Sequence, residues 1–333
     1  MKGLHSMNMN QSLSPLLAIL LTGGTIVGTA ASSAQANDPV EPATGDEPEN
    51  PLDSDPQSRF VFSARVTGTS TADTDFDDDI GQFQYNALIA GFNAKRKIGD
   101  SSSLNIDLDA GWYSYDITPS ASSVAGDAAS IGSEFDDVTT LSLVTTLSHQ
   151  YNDTGSWFVG GGVLVGSENG ADFGDSIDGI IVGGFRHKVN DQLEVGLGVY
   201  ARTRLDDNVL IVPLPQIKYT IDEYWSIESQ GAGAKINYHA TDALDYGISG
   251  EYQSTTFRLD DTHSFAPDGM VTQRSFPIGF YAQYQPNDTV HITGRVGGLL
   301  AMELEILDTN GNNVATQDID TGIFGSLSVS FAF

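Results

Sequence analysis

The sequence of 333 residues predicts an all-β fold, a transmembrane antiparallel up-and-down β-barrel of about fourteen strands. Three observations predict it. Apolar and polar residues alternate over runs of ~10–15 residues, repeatedly, from Arg59 onward. No helical periodicity appears that could cover the apolar faces so produced. The connections between runs come in two lengths, short and long.

The clearest run is the last. Leu327, Val329, Phe331 and Phe333 share one parity, and Ser326, Ser328, Ser330 and Ala332 fill the other. This is a strand with one greasy face and one face of small, mostly polar groups. In a soluble sheet such an aromatic edge invites aggregation. In a barrel the last strand closes onto the first and no edge remains.

Interior runs obey the same rule. From Leu104 to Tyr113 the even positions are apolar, and from Leu193 to Arg204 the odd ones are. Val290 to Val296 repeats the pattern. The first two runs reach the ~9–11 tilted residues needed to cross a bilayer. Ile98–Ser101, Asn152–Gly155, Val189–Asp191, Ile221–Glu223, Ala240–Asp242 and Pro286–Asp288 read as tight turns. Ser70–Gly81, Thr118–Asp137, Asn169–Asp175, Asp260–Gly269 and Asp308–Asn313 read as looser loops. The weak step is Trp225–His239, which must hold two short half-strands bent at Gly231-Ala232-Gly233. If that hairpin lies off the membrane, the count falls to about twelve.

Three segments follow. Residues 1–36 read as a secretory signal peptide: a weakly basic start at Lys2, an apolar stretch from Leu16, and the cleavage site Ala34-Gln35-Ala36. Residues 37–58 carry five prolines among seven acids and read as a disordered periplasmic spacer. Residues 59–333 form the barrel.

Composition narrows the function. With no cysteine, disulfides and a lipid-bearing amino-terminal cysteine are both excluded. Lys and Arg number 15 against 44 acids. Losing residues 1–36 removes one lysine and no acid, so the net charge moves from -29 to -30. Such acidity argues against nucleic-acid partners, which need basic phosphate contacts.

The terminal strand resembles the carboxy-terminal signal strand of bacterial outer-membrane β-barrels, carried by Leu327, Val329, Phe331 and Phe333. The whole barrel resembles uncharacterised bacterial outer-membrane barrel families, on its signal peptide, acidic Pro-rich lead, repeated Asn-Asp turns and terminal Phe. The resemblance implies the outer membrane as location, with its lipid and the barrel assembly machinery as partners. It leaves the oligomeric state open.

Alternation assigns faces. With Leu104, Ile106, Leu108, Leu193, Val195, Leu197, Val290 and Ile292 toward lipid, Asp107, Asp109, Glu194, Arg202, Arg204 and Arg295 point inward. Arg on the lipid face at mid-depth would cost ~2–4 kcal/mol. Glu303 and Glu305 share the parity of Arg295 and face the lumen if no bulge intervenes. These charges are the candidate pore lining. Their excess of acid predicts an outer-membrane channel or passive transporter for small solutes with weak cation selectivity. Two alternatives stay open: a closed structural or adhesive barrel, and an outer-membrane hydrolase built on Asp261-Thr262-His263-Ser264. No G-x-S-x-G or H-E-x-x-H supports the hydrolase, and adjacent loop residues cannot all converge on one substrate. Asp73–Asp79 fails the calcium-loop pattern, with Asp78 where Gly belongs, so neither a metal nor a cofactor is expected.

Overall fold

The computed structural model describes residues 60–135, 137–203 and 209–333. The expected signal peptide, the acidic spacer and Arg204 lie outside the described residues. In chain order the strands are β1 (Phe60–Thr71), β2 (Thr74–Asp75), β3 (Gly81–Ile98), β4 (Ser102–Pro119), β5 (Val138–Asn152), β6 (Gly155–Glu168), β7 (Ile177–Lys188), β8 (Leu193–Thr203) and β9 (Val209–Thr220). There follow β10 (Trp225–Gln230), β11 (Gly233–Thr241), β12 (Leu244–Glu251), β13 (Gln253–Arg258), β14 (Met270–Asn287), β15 (Val290–Leu307), β16 (Asn313–Ile319) and β17 (Gly322–Ala332). One short helix, α1 (Ala128–Gly132), sits in the loop after β4, with the Asp127 carboxylate accepting from the Ser130 N–H at 2.7 Å.

These segments make a closed antiparallel barrel of 14 staves, because β2, β13 and β16 only prolong β1, β12 and β17 past a break. Closure joins β1 to β17, from Ser63 opposite Ala332 to Thr71 opposite Phe324. Phe333 adds the final link: it exchanges both backbone bonds with Phe62 (3.1 and 2.9 Å), and their rings stack at 6.2 Å. The doubtful hairpin is part of the wall. Trp225 to Gln230 pairs with Tyr238 to Gly233, so the count is fourteen and not twelve.

The alternation fixes which way side chains point. Val66, Leu108, Trp112, Leu143, Val163, Ile181, Leu197, Phe280 and Leu327 all lie exposed on the outer face, on strands right around the barrel. On a closed barrel this is a lipid-facing belt. At the end with the tight turns, Phe60, Phe62, Phe92, Trp157 and Trp225 form an aromatic rim.

Toward the looped end the cylinder does not continue. β13 leaves its place beside β11 and crosses to touch β6, with Arg258 opposite Ser167 in a parallel bridge. Two sets of bonds hold it there: Arg258 donates to the carbonyls of Asp175 (2.8 Å) and Asp268 (2.7 Å), and the Asp260 N–H donates to the Glu168 carboxylate (2.8 Å). On the neighbouring β14, Gln273 accepts from the Tyr115 hydroxyl across the lumen (3.0 Å). The upper barrel is thereby narrowed and filled by an apolar core. Phe76, Phe83, Ile131, Phe257, Leu259, Val271, Leu299, Met302, Leu304 and Ile306 form one continuous core across it. Fully burying a side chain of this kind stabilises by ~1.5–3 kcal/mol.

A bulge makes that core possible. Arg274 pairs with Glu303 but Phe276 pairs with Leu300, so β15 carries one extra residue, and Ala301 takes a left-handed φ of 48°. Below it Arg295, Gly297 and Leu299 point inward. Above it Met302, Leu304 and Ile306 do, at 2% exposure or less. The one-residue step exchanges the two faces.

Candidate functional site

The lumen has a polar lower half and an apolar upper half. Its polar groups lie flat along the wall. Arg65 on β1 reaches across β3 to Asp109 on β4 at 2.8 Å, directly over Gly91. A Cβ on Gly91 would stand 2.3 Å from the Asp109 carboxylate, so the bare glycine is what admits the pair. Arg186 crosses β8 over Gly196 to Gln216 in the same way, at 2.5 Å. Arg295 crosses β14 to Glu251 at 3.1 Å, and Asn93 donates to Asp107 at 2.6 Å. Side chains held sideways leave the axis free.

One row of charge runs through five staves. Lys188 stands opposite Glu194, Glu194 opposite Lys218, Lys218 opposite Glu228, and Glu228 opposite Lys235. All five share the inward parity and alternate in sign. Glu228 lies 3.8 Å from Lys218 and 3.1 Å from Lys235. Partly solvated pairs like these contribute ~0.2–1 kcal/mol each. Their direct opposition pins the register of β7 to β11.

Above this row the inward residues turn greasy. Val144, Ile180, Tyr200, Val212 and Leu214 form a second buried cluster, joined by Leu164, Leu210 and Ala232. Ala232 is the tip of the β10–β11 hairpin, which bends at Gly231 (φ 55°) and brings its carbonyl within 3.4 Å of the Tyr252 N–H. Arg202 and Asp178 cap the cluster as a buried pair at 2.6 Å, with 6% and 3% of their side chains exposed.

The wall itself parts beside this cluster. β9 pairs with β8 along its whole length, but with β10 only at Thr220, Tyr219 and Lys218. Above Lys218, the Ile217 N–H donates to the Ser229 hydroxyl at 2.8 Å, which shows that odd-numbered residues of β9 aim their backbone groups at β10. The next odd residues are Pro213 and Pro215. Two donors that would otherwise be stranded at the open edge are therefore absent. A backbone edge at membrane depth demands such a device.

The expected lining residues separate into groups. Asp107, Asp109 and Arg202 lie on the inner face at 5%, 6% and 5% exposure, and Glu194 and Arg295 share that face. Glu303 and Glu305 do not, because the bulge anticipated as the exception is present. They flank Arg274 on the opposite face of β14 and β15. Arg204 is outside the described residues. Sequence reasoning missed Lys188, Lys218, Glu228 and Lys235, whose opposition depends on the register of five strands. It also missed the apolar cluster, although Pro213 and Pro215 two apart in a strand-like run were a legible sign of an edge.

Among the loops, His263 is buried against Phe135, with ring centroids 5.9 Å apart, and the Ser264 hydroxyl donates to Glu134 at 2.7 Å. The Thr262 hydroxyl and N–H hold the Asp260 carboxyl below the usual carboxylate range. These contacts lock the cap.

A closed even-stranded barrel, belted with apolar side chains and rimmed with aromatics, is a transmembrane β-barrel of the outer-membrane type. Solved structures with this architecture include an outer membrane channel from Pseudomonas putida F1, 12% identical, covering 86% of this chain and 100% of its own, with a TM-score of 0.47. A Pseudomonas aeruginosa FadL homologue is also 12% identical, covering 82% and 90%, with a TM-score of 0.46. The P. putida toluene transporter TodX is 9% identical, covering 84% and 91%, with a TM-score of 0.40. At these identities and scores the likeness carries no conclusion about solute or route. No family profile and no curated protein matches the sequence.

Proposed function

We propose that this barrel is an outer-membrane channel for small, predominantly apolar solutes, which pass through the parted wall between β9 and β10 rather than down the axis from the outer mouth. The observation that carries this reading is the combination of a packed outer end with a proline-lined edge that opens beside an apolar lumen. Water-soluble solutes would need the outer end open. Apolar solutes in the bilayer reach the side directly, and separating the three-pair junction widens their path. Export through a cleaved signal peptide, with the cut after Ala36, and insertion by the assembly machinery reading Phe333 complete the proposal.

Ion selectivity is not part of it. The acid excess expected from the sequence loses Glu303 and Glu305 to the outer face. Lys95, Lys97, Lys188, Lys218 and Lys235 all join the inward parity. Any ion passage should therefore show little preference of sign. A hydrolytic role gains no support, since His263 is buried against Phe135 and the Ser264 hydroxyl donates to Glu134.

A disulfide across the seam tests the route, and the absence of native cysteine makes it clean. Ile217→Cys with Ser229→Cys joins β9 to β10 just above the junction. The readout is uptake of N-phenyl-1-naphthylamine by intact Gram-negative cells. Expected is a several-fold slower rate when oxidised, recovered on reduction. Uptake indifferent to the staple would reject the lateral route.

A further inference from the structure

The apolar cluster beside the seam holds one atom that does not belong in a packed core. Tyr200 is 4% exposed, and its hydroxyl has no hydrogen-bond partner among the described residues. Around it stand Val144, Ile180, Val212 and Leu214, none of which offers a side-chain donor or acceptor. A buried hydroxyl without a partner is costly to keep, and Phe would fill the same volume without that cost. Sites that hold small molecules look like this: mostly apolar walls with a single placed polar group.

The group packed against this cluster is also unusual. It is Ala232, at the tip of a hairpin whose neighbouring residues are Gly231 and Gly233. The hairpin is tied to β9 by three residue pairs and the Ile217–Ser229 hydrogen bond. The tip is anchored on the β12 side, where Gly233 pairs with Glu251, but is open toward β9, so its methyl group has room to swing off the cluster.

Resting on the apolar-channel reading above, we infer that the Tyr200 recess is a solute-binding site, closed by the Ala232 tip when empty. Its ligand is a compact, uncharged, largely apolar molecule carrying one hydroxyl or carbonyl. The apolar body replaces Ala232 against Val212 and Leu214, and the polar atom pairs with the Tyr200 hydroxyl. Charged solutes are refused, since nothing in the recess neutralises them. The nearest ions, Arg202 and Asp178, already satisfy each other.

Fluorine NMR on the full barrel in lipid nanodiscs tests this, with 4-fluorobenzyl alcohol as probe and 4-fluorotoluene as the analogue lacking the hydroxyl. Empty nanodiscs correct for partition into lipid. Saturable binding is expected for both, about tenfold tighter for the alcohol, as one buried hydrogen bond allows. Tyr200→Phe should erase that preference while leaving fluorotoluene binding unchanged, a change that keeps the fold. Ala232→Trp should weaken both probes together. If the alcohol keeps its advantage in Tyr200→Phe, the site assignment is overturned while the channel reading stands. If neither probe saturates while the barrel still speeds naphthylamine uptake, the site is likewise overturned. Loss of both binding and uptake overturns the site and the channel reading together.

Discussion

Glycine governs the lumen at the scale of single residues. Arg65 and Asp109 sit on strands separated by β3, and only the missing side chain of Gly91 lets them meet. Gly91→Ala should therefore act by parting that pair. We expect a loss of about 1–2 kcal/mol in unfolding free energy, measured in lipid vesicles. In an Asp109→Ala background the same substitution should cost far less, because the clash has gone. Equal costs in both backgrounds would mean that Gly91 matters for strand curvature and not for the ion pair. The same logic explains which charges were legible in the sequence. Asp107, Asp109 and Arg202 occur in unbroken alternation, and their facing follows from parity alone. Glu303 and Glu305 lie beyond Ala301, where a single inserted residue reverses every later side chain. No local feature of the Leu300-Ala301-Met302 segment marks that insertion, since it is set by how β14 pairs with it.

Among the elements, the β10–β11 hairpin is secured along β12 but only sparsely joined to β9. Its strands are short, its junction with β9 spans three pairs, and its base is held by Glu228 between two lysines. Glu228→Lys replaces attraction with repulsion on both sides of β10, across the seam to Lys218 and within the hairpin to Lys235. Amide hydrogen exchange in β10 and β11 should then quicken by about an order of magnitude, as the loss of ~1–2 kcal/mol of local protection requires. Amides of β3 and β4 should be unaffected. Uniform acceleration around the barrel would show instead that the charge row supports the whole wall. The sequence did reveal this hairpin as a weak step, through Gly231-Ala232-Gly233 and its short apolar runs. It could not reveal the charge row. Lys188, Glu194, Lys218, Glu228 and Lys235 span 48 positions of chain and come together only when five strands take one register.

Taken whole, the molecule is two constructions on one set of strands. Its turn-side half is a wide cylinder whose charges lie along the wall. Its loop-side half is a narrowed, dry core that β13 closes by crossing to β6. Alternation, turn lengths and the terminal Phe333 were enough to read the cylinder. The crossing was hidden, because Gln253–Arg258 looks like the continuation of β12 and only its contacts with Gly166 and Ser167 redirect it. A packed outer end is also what separates a side-opening channel from a water-filled pore. Single-channel recording of the refolded protein in a planar bilayer, in molar KCl, decides between them most directly. The expected result is no sustained ohmic conductance, with at most brief openings. A steady, long-lived open conductance would contradict the closed outer end and with it the lateral route.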